Sequence, residues 1–69
     1  MRAKYDLIDS RGVPFLKIEK AQKRYRKFKK NLEPIPAIHT VTIVFSNLGD
    51  GFFEANFYLE QKIVFTTKV

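Results

Sequence analysis

The chain has 69 residues, with 13 lysines and arginines against seven acidic residues, one histidine and no cysteine. This length fits one small domain, and the lack of cysteine excludes disulfides and thiolate metal sites. A hydrophobic fraction of 45%, including seven Phe and three Tyr, is sufficient for a compact core. No apolar run approaches the ~20 residues of a membrane span, and the charged N-terminus is unlike a signal peptide. We therefore expect a cytoplasmic protein.

The positive charge is concentrated in the first half of the chain. Residues 1–32 carry eleven basic and three acidic side chains, whereas residues 33–69 carry two and four. The densest stretch, residues 17–30 (KIEKAQKRYRKFKK), holds eight cations and a single acid. Such an asymmetric distribution indicates a polyanionic partner.

An N-terminal β-hairpin is the first predicted element. Residues 3–9 have strand character, and the sequence Ser-Arg-Gly at 10–12 supplies turn residues with a glycine that can take positive φ. A second strand would cover residues 13–16, with Pro14 on a sheet edge because proline cannot donate to a ladder. The alternative makes Pro14 the first residue of a helix. We favour the hairpin because Val13 is a poor N-cap.

An amphipathic helix is predicted over residues 18–32. Apolar residues recur there at spacings of three and four, which defines one buried stripe of a helix. The stripe consists of Ile18, Ala21, Tyr25, Phe28 and Leu32. The intervening residues are polar or charged and favour helix. Pro34 and Pro36 end it, because proline cannot continue a helix.

Strands with clear alternation follow the helix. Residues 38–46 place Val41, Ile43 and Phe45 on one face, and residues 52–60 place Phe53, Ala55, Phe57 and Leu59 inward. Residues 63–69 form a last strand with Ile63, Phe65 and Thr67 on one face. The pattern leaves open whether 52–69 is a hairpin or one bent strand, since Gln-Lys at 61–62 is not a favoured two-residue turn.

These elements predict an α+β fold in one domain, residues 1–69. It would contain the N-terminal β-hairpin and one basic amphipathic helix, at about 18–32. The helix would pack on the apolar face of an antiparallel sheet of about four to five strands, because such a face needs a cover.

The cations of the helix cannot all lie on its buried stripe, so they form a positive band on its solvent side. These predicted nucleic-acid-binding residues are Lys17, Lys20, Lys23, Arg24, Arg26, Lys27, Lys29 and Lys30. Phosphates along a nucleic acid would contact several at once, and counterion release would make binding strongly salt-dependent. The alternative is a merely solvated face, but such faces usually interleave charges of both signs.

Chemistry-bearing motifs are otherwise scarce. Phe52 and Tyr58 fall on the outward phase of their strand, so both are candidates for stacking unpaired bases. The alternative is a purely structural role, in which Phe52 folds over the edge of the core and Tyr58 packs against a residue of the neighbouring strand. His39 has no second His or Cys with which to hold a metal, and no phosphate loop, nucleophile elbow or catalytic triad is present. We expect no enzyme activity, no cofactor and no metal.

The sequence thus predicts a small non-enzymatic protein that binds DNA or RNA through the basic helix face. The alternative is a protein–protein interaction module, acting as a regulator, inhibitor or assembly subunit. It would dock to an acidic partner surface or through an open edge strand at 63–69. The same edge would allow a homodimer. We expect no membrane partner, because the sheet needs the apolar face of the helix.

Overall fold

The computed structural model describes residues 3–29 and 39–69. The elements in chain order are β1 (Ala3–Ile8), α1 (Phe15–Phe28), β2 (His39–Gly49), β3 (Phe52–Leu59) and β4 (Lys62–Lys68). The strands form one four-stranded sheet in the order β1-β2-β3-β4, and α1 packs on one side of it. The predicted α+β class is confirmed. Among the described residues, no helix has the length and apolar character that crossing a membrane requires.

The predicted N-terminal hairpin is wrong. Strand β1 pairs in parallel with β2, from Ala3 opposite His39 to Ile8 opposite Val44, so the sheet is mixed and not purely antiparallel. The predicted turn does form, since Gly12 has a φ of 83°, but it leads into a helix. Parallel neighbours cannot be joined by a tight turn and need a crossover, which here contains α1.

Helix α1 begins earlier than predicted. Pro14 is its N-cap, with φ −58° and ψ 139°, and the Pro14 carbonyl accepts the backbone N–H groups of Lys17 and Ile18 at 2.9 and 3.2 Å. The alternative interpretation of Pro14 as a helix start is therefore correct to within one residue. Proline suits this place because its φ is already helical and no N–H is needed. The helix runs to Phe28, and the predicted extension to residues 30–32 lies outside the described residues.

Strands β2, β3 and β4 form an antiparallel meander with two tight turns. Asp50-Gly51 has φ values of 54° and 82°, and positive φ at both positions is the requirement of the type I′ hairpin turn that Asp-Gly favours. Glu60-Gln61 has the same pattern, at 50° and 67°, without a glycine. Residues 52–69 are therefore a hairpin, and its turn lies one residue before the Gln-Lys pair.

The core lies between α1 and the sheet. Its buried residues are Val13, Ala21, Tyr25, Val41, Ile43, Phe45, Phe53, Ala55, Phe57 and Val69, which confirms the predicted inward residues of β2 and, except for half-buried Leu59, those of β3. The Tyr25 ring stacks on Phe57, with centroids 4.9 Å apart and an interplanar angle of 6°. Tyr5 of β1 meets Tyr25 edge-on at 6.3 Å. Tyr25 therefore joins the helix to the centre of the sheet.

The predicted face of β4 is partly wrong. The register of β3 and β4 shifts, so that Phe65 lies opposite Phe57 whereas Ile63 lies opposite Tyr58, and Val64 is the extra residue. Phe65 packs against the core, but Ile63 lies on the other side of the sheet and is 52% exposed. An irregularity of this kind breaks strict alternation and cannot be found from the period-two pattern.

Candidate nucleic-acid interface

Helix α1 presents a cationic surface on the side opposite the sheet. Four of the predicted binding residues are exposed there, and a fifth is half-buried at the helix end: Lys20, Lys23, Arg26, Lys27 and Lys29. Within residues 3–29 and 39–69, none of these five groups has a carboxylate as an ion-pair partner. We call this set the outer cation face. Lys30, which was also predicted to bind, lies outside the described residues.

Three lysines of the outer cation face share one line along the helix. Residues three and four apart are neighbours on a helix surface, so Lys20, Lys23 and Lys27 follow one another over ~10 Å at 1.5 Å per residue. Arg26 lies beside this line, and a shallow groove between Lys23, Arg26, Lys27 and Lys29 runs over the same surface. Glu19 is the single acid of α1 and is exposed. The surface can therefore accept several phosphates in series.

Lys17, although predicted to bind nucleic acid, holds the start of the helix against the sheet. Its ammonium donates to the backbone oxygens of Gly51 and Val69, the second at 3.2 Å. The same ammonium lies 5.3 Å from the ring centroid of Phe52 and 5.6 Å from that of Phe53. Two of its three N–H donors are thus used within the fold, although its positive charge remains at the edge of the outer cation face.

Arg24 has a comparable structural role further along the helix. Its guanidinium donates to the hydroxyl of Thr67 at 2.8 Å and to the carbonyl of Lys68. Val69 exchanges both backbone hydrogen bonds with Phe53, at 2.9 and 2.8 Å. Backbone groups alternate in direction along a strand, so the Lys68 carbonyl points away from β3. Arg24 therefore covers part of the outer edge of β4.

The signal that separates Lys17 and Arg24 from the other cations is their position relative to the buried stripe. Lys17 lies four residues before the buried Ala21, and Arg24 lies three residues after it. Both therefore flank the apolar stripe. Long basic side chains on such flanks can reach a sheet edge while their stems pack on apolar surface. Lys20, Lys23, Arg26 and Lys27 lie further round the helix and are exposed, whereas Lys29, four residues after Tyr25, is half-buried.

The two predicted stacking aromatics lie in different surroundings. Phe52 is 57% exposed and lies next to Lys17 at the start of the helix. Tyr58 is half-buried and lies on the sheet face that α1 does not cover, because the adjacent Phe57 faces the helix. Six residues along a strand correspond to ~20 Å. The two rings therefore do not form one stacking surface.

In the described part of the chain, the sheet face around Tyr58 carries two acidic side chains and one lysine, Lys4, which lies opposite Thr40. Asp6 lies in the same cross-strand row, since Asp6 is opposite Thr42 and Thr42 is opposite Tyr58. Glu60 lines the shallow depression beside the Tyr58 ring. Two carboxylates near one aromatic ring repel a polyanion. Of the two aromatics, Phe52 is the one that the fold places beside a cation of the basic helix, Lys17.

The sequence pattern does not predict the exposure of two apolar residues at the start of α1, Phe15 and Leu16. Phe15 is 70% exposed and Leu16 is 76% exposed, both in the first turn of α1. The sequence pattern assigns them to the second strand of the predicted hairpin, which does not form. Recognition of Pro14 as a helix start would have located them at one end of the basic helix, outside its buried stripe. They enlarge the apolar surface at that end of the domain.

The described residues offer little for other chemistry. No group of three or more His, Cys, Asp or Glu among them is arranged to hold a metal ion. The hydroxyls of Tyr5 and Tyr25 are buried, and neither has a hydrogen-bond partner in the described part of the chain. Burial raises the pKa of the Tyr25 phenol above its usual 10.0, and the neighbouring Tyr5 adds to this effect.

Comparisons of the chain with protein-family models, with curated proteins and with solved structures find no match. A fold class by itself does not define a function. The functional inference therefore depends on the arrangement and exposure of the residues described above.

Proposed function

We propose that this protein is a small non-enzymatic domain that binds nucleic acid through the outer cation face of α1. The observation that carries the proposal is the row of exposed cations on one helix surface that have no carboxylate partner among residues 3–29 and 39–69, above all Lys20, Lys23 and Lys27. These side chains contact phosphate groups of the backbone. We place this activity in the cytoplasm.

The energetics of the helix favour a polyanionic partner. Like charges three and four residues apart destabilise a helix, and Lys20, Lys23 and Lys27 have this spacing. A row of phosphates would turn that repulsion into attraction and would release condensed counterions. A helix that serves only solubility has no such reason to collect one sign of charge.

The chemistry of the outer cation face indicates binding with little sequence selectivity. Lysine ammonium groups are flexible point charges, and they contact phosphate without reading bases. Arg26 is the one arginine of the outer cation face, and it is exposed. Its planar guanidinium can form bidentate hydrogen bonds with phosphate or guanine, which the four lysines of the face cannot. Affinity should therefore depend more on salt than on base sequence.

The test is a fluorescence-anisotropy titration with single-stranded DNA, duplex DNA and RNA at about 50 and 200 mM salt. We expect affinity to fall at least tenfold between the two salt concentrations. The variant K20E/K23E/K27E should abolish binding. A matched control, K4E/K62E/K68E, makes the same change in net charge on exposed lysines of β1 and β4 and should retain most of it.

Two results would overturn the proposal. One is the absence of binding to any of the three ligands at the lower salt concentration. The other is an equal loss of affinity in the two triple variants, because net charge alone, and not the outer cation face, would then explain the binding.

The second candidate is a protein–protein interaction module, and one observation favours it. Strand β4 ends the described sheet, so the part of its outer edge that Arg24 does not cover offers backbone groups to a target protein, an assembly partner or a second copy. A protein interface with an apolar centre has a shallow salt dependence, unlike one built on phosphate contacts. The two-salt titration, repeated with an acidic partner protein, separates these candidates.

A further inference from the structure

The exposed aromatic residue Phe52, beside Lys17 at the start of α1, indicates whether the proposed ligand is a single strand or a duplex. Phe52 is 57% exposed, although burial of such a ring is normally favourable. A duplex keeps its bases stacked inside, so backbone contacts to a duplex need no aromatic residue. Unpaired bases, by contrast, stack readily on phenylalanine.

We propose that the domain binds single-stranded nucleic acid, with phosphates along Lys20, Lys23 and Lys27 and an unpaired base stacked on Phe52. The inference rests on the proposed function and adds the strandedness of the ligand and the place where one base is bound.

The backbone position of Phe52 is defined by the adjacent turn, and its ring lies next to Lys17. Phe52 directly follows the tight turn at Asp50-Gly51, and the ammonium of Lys17 bonds to the Gly51 carbonyl while lying 5.3 Å from the Phe52 ring centroid. A residue whose backbone is already set by a tight turn loses less conformational entropy when a base stacks on it than a residue in a flexible loop does. This pre-organisation favours Phe52 as a binding surface.

Lys17 links the proposed base site to the helix that carries the phosphate line. Lys17, next to the ring, and Lys20, the first lysine of the line, are three residues apart and so are neighbours on the helix. Asp50 is exposed in the turn beside Phe52. Its carboxylate disfavours a phosphate at that spot but not an uncharged base. The local charges therefore fit a chain whose base lies on Phe52 and whose phosphates begin further along α1.

Tyr58 provides an internal comparison. Its ring is also a potential stacking surface, but Asp6 and Glu60 lie near it and α1 is on the opposite side of the sheet. A strand that follows the outer cation face cannot reach this ring at the same time. Substitution of Tyr58 should therefore leave binding unchanged.

The experiment compares F52L and Y58L in anisotropy titrations at about 50 mM salt with a single strand of about twelve nucleotides and its duplex. Leucine keeps apolar bulk but removes the aromatic face. We expect F52L to weaken single-strand binding by about tenfold and to change duplex binding by less than about twofold. Y58L should change neither. Circular dichroism melts of both variants check that the fold is retained.

A second readout follows base stacking directly. The chain contains three tyrosines but no tryptophan, so F52W introduces a unique tryptophan, which can be excited selectively, at the proposed base site. We expect its emission to be quenched by the single strand and to change little with the duplex. This readout does not depend on the affinity change in F52L.

The outcomes separate the inference from the proposed function. If wild-type protein binds the duplex as tightly as the single strand, F52L has no effect and K20E/K23E/K27E abolishes both, the inference is wrong and the proposed function stands. If no nucleic acid binds at the lower salt concentration, the proposed function fails and the inference fails with it. A selective loss of single-strand binding in F52L supports both.

Discussion

Arg24 donates a hydrogen bond from its guanidinium to the hydroxyl of Thr67 at 2.8 Å, and this contact ties the second half of helix α1 to strand β4. The neighbouring Lys23 points to solvent. Adjacent basic residues in one cationic stretch thus have different tasks, one in the fold and one on the proposed binding surface.

The first prediction concerns the stability that Arg24 provides. We expect Arg24→Gln to lower the free energy of unfolding by about 1–2 kcal/mol, because it removes one partly buried and one exposed hydrogen bond from a charged donor. The control Lys23→Gln should change it by less than about 0.5 kcal/mol. Urea denaturation of the two variants measures both values. Equal effects would contradict the assigned role of Arg24.

The second prediction concerns the edge of β4. Arg24 bonds to the outward-pointing carbonyl of Lys68, and an uncovered strand edge promotes pairing with another chain. We expect Arg24→Gln to self-associate at protein concentrations at which Lys23→Gln remains monomeric. Sedimentation velocity over a concentration series measures this. Identical behaviour of the two variants would show that Arg24 does not protect the edge.

The third prediction concerns the buried hydroxyl of Tyr25. Because this hydroxyl has no partner among the described residues, Tyr25→Phe removes an unsatisfied polar group and keeps the ring that stacks on Phe57. We expect the free energy of unfolding to rise by about 1 kcal/mol. A thermal melt compares the variant with wild type. A clear loss of stability would mean that the hydroxyl is hydrogen-bonded in solution.

The fourth prediction is a pH dependence with the same origin. Burial raises the pKa of Tyr25 above 10.0, so in alkaline solution the unfolded chain loses this proton before the folded protein does. The stabilisation is complete below pH 10, the unfolded value, and is lost as the pH rises through the raised pKa. Unfolding measured from pH 8 to 11 should show a steeper loss for wild type than for Tyr25→Phe. Parallel profiles would contradict the raised pKa.

The fifth prediction concerns the turn between β3 and β4. Glu60 and Gln61 both have positive φ, at 50° and 67°, which is costly for residues with a Cβ. We expect E60N/Q61G to raise the free energy of unfolding by about 1 kcal/mol, since Asn-Gly suits this turn. The matched control is Gly51→Ala, in the other tight turn.

Gly51 is a useful control because a Cβ there would meet nothing within 4 Å while its φ is 82°. Any loss of stability in Gly51→Ala therefore reports backbone conformation and not a steric clash. We expect a loss of about 1 kcal/mol. If neither turn responds in denaturation experiments, the φ values of these turns do not limit stability.

Much of the fold could be predicted from local periodicity. The spacing of Ile18, Ala21, Tyr25 and Phe28 predicts the packed face of α1, and alternation predicts the buried residues of β2. Both patterns record which side of an element meets the core. The error at Pro14 arose because proline fits an edge strand and a helix start alike, and the local sequence did not decide between them.

Features that depend on distant residues could not be predicted in this way. Parallel pairing of β1 with β2 leaves no signature in either strand alone, and the extra residue Val64 in β4 is defined only against β3. The density of cations predicted a basic helix face, but not that Lys17 and Arg24 would bond to the sheet. Those contacts depend on where the end of β4 lies.

The parallel pairing also has a consequence for the order of folding. Within the meander, strands are joined by two-residue turns and can pair almost as soon as they exist. Ala3, in contrast, pairs with His39 across 35 intervening residues. Closing such a long loop lowers the conformational entropy of the chain before the stabilising strand contacts can form. We therefore expect β1 to dock last. The meander and the helix would by then have formed the surface that receives it.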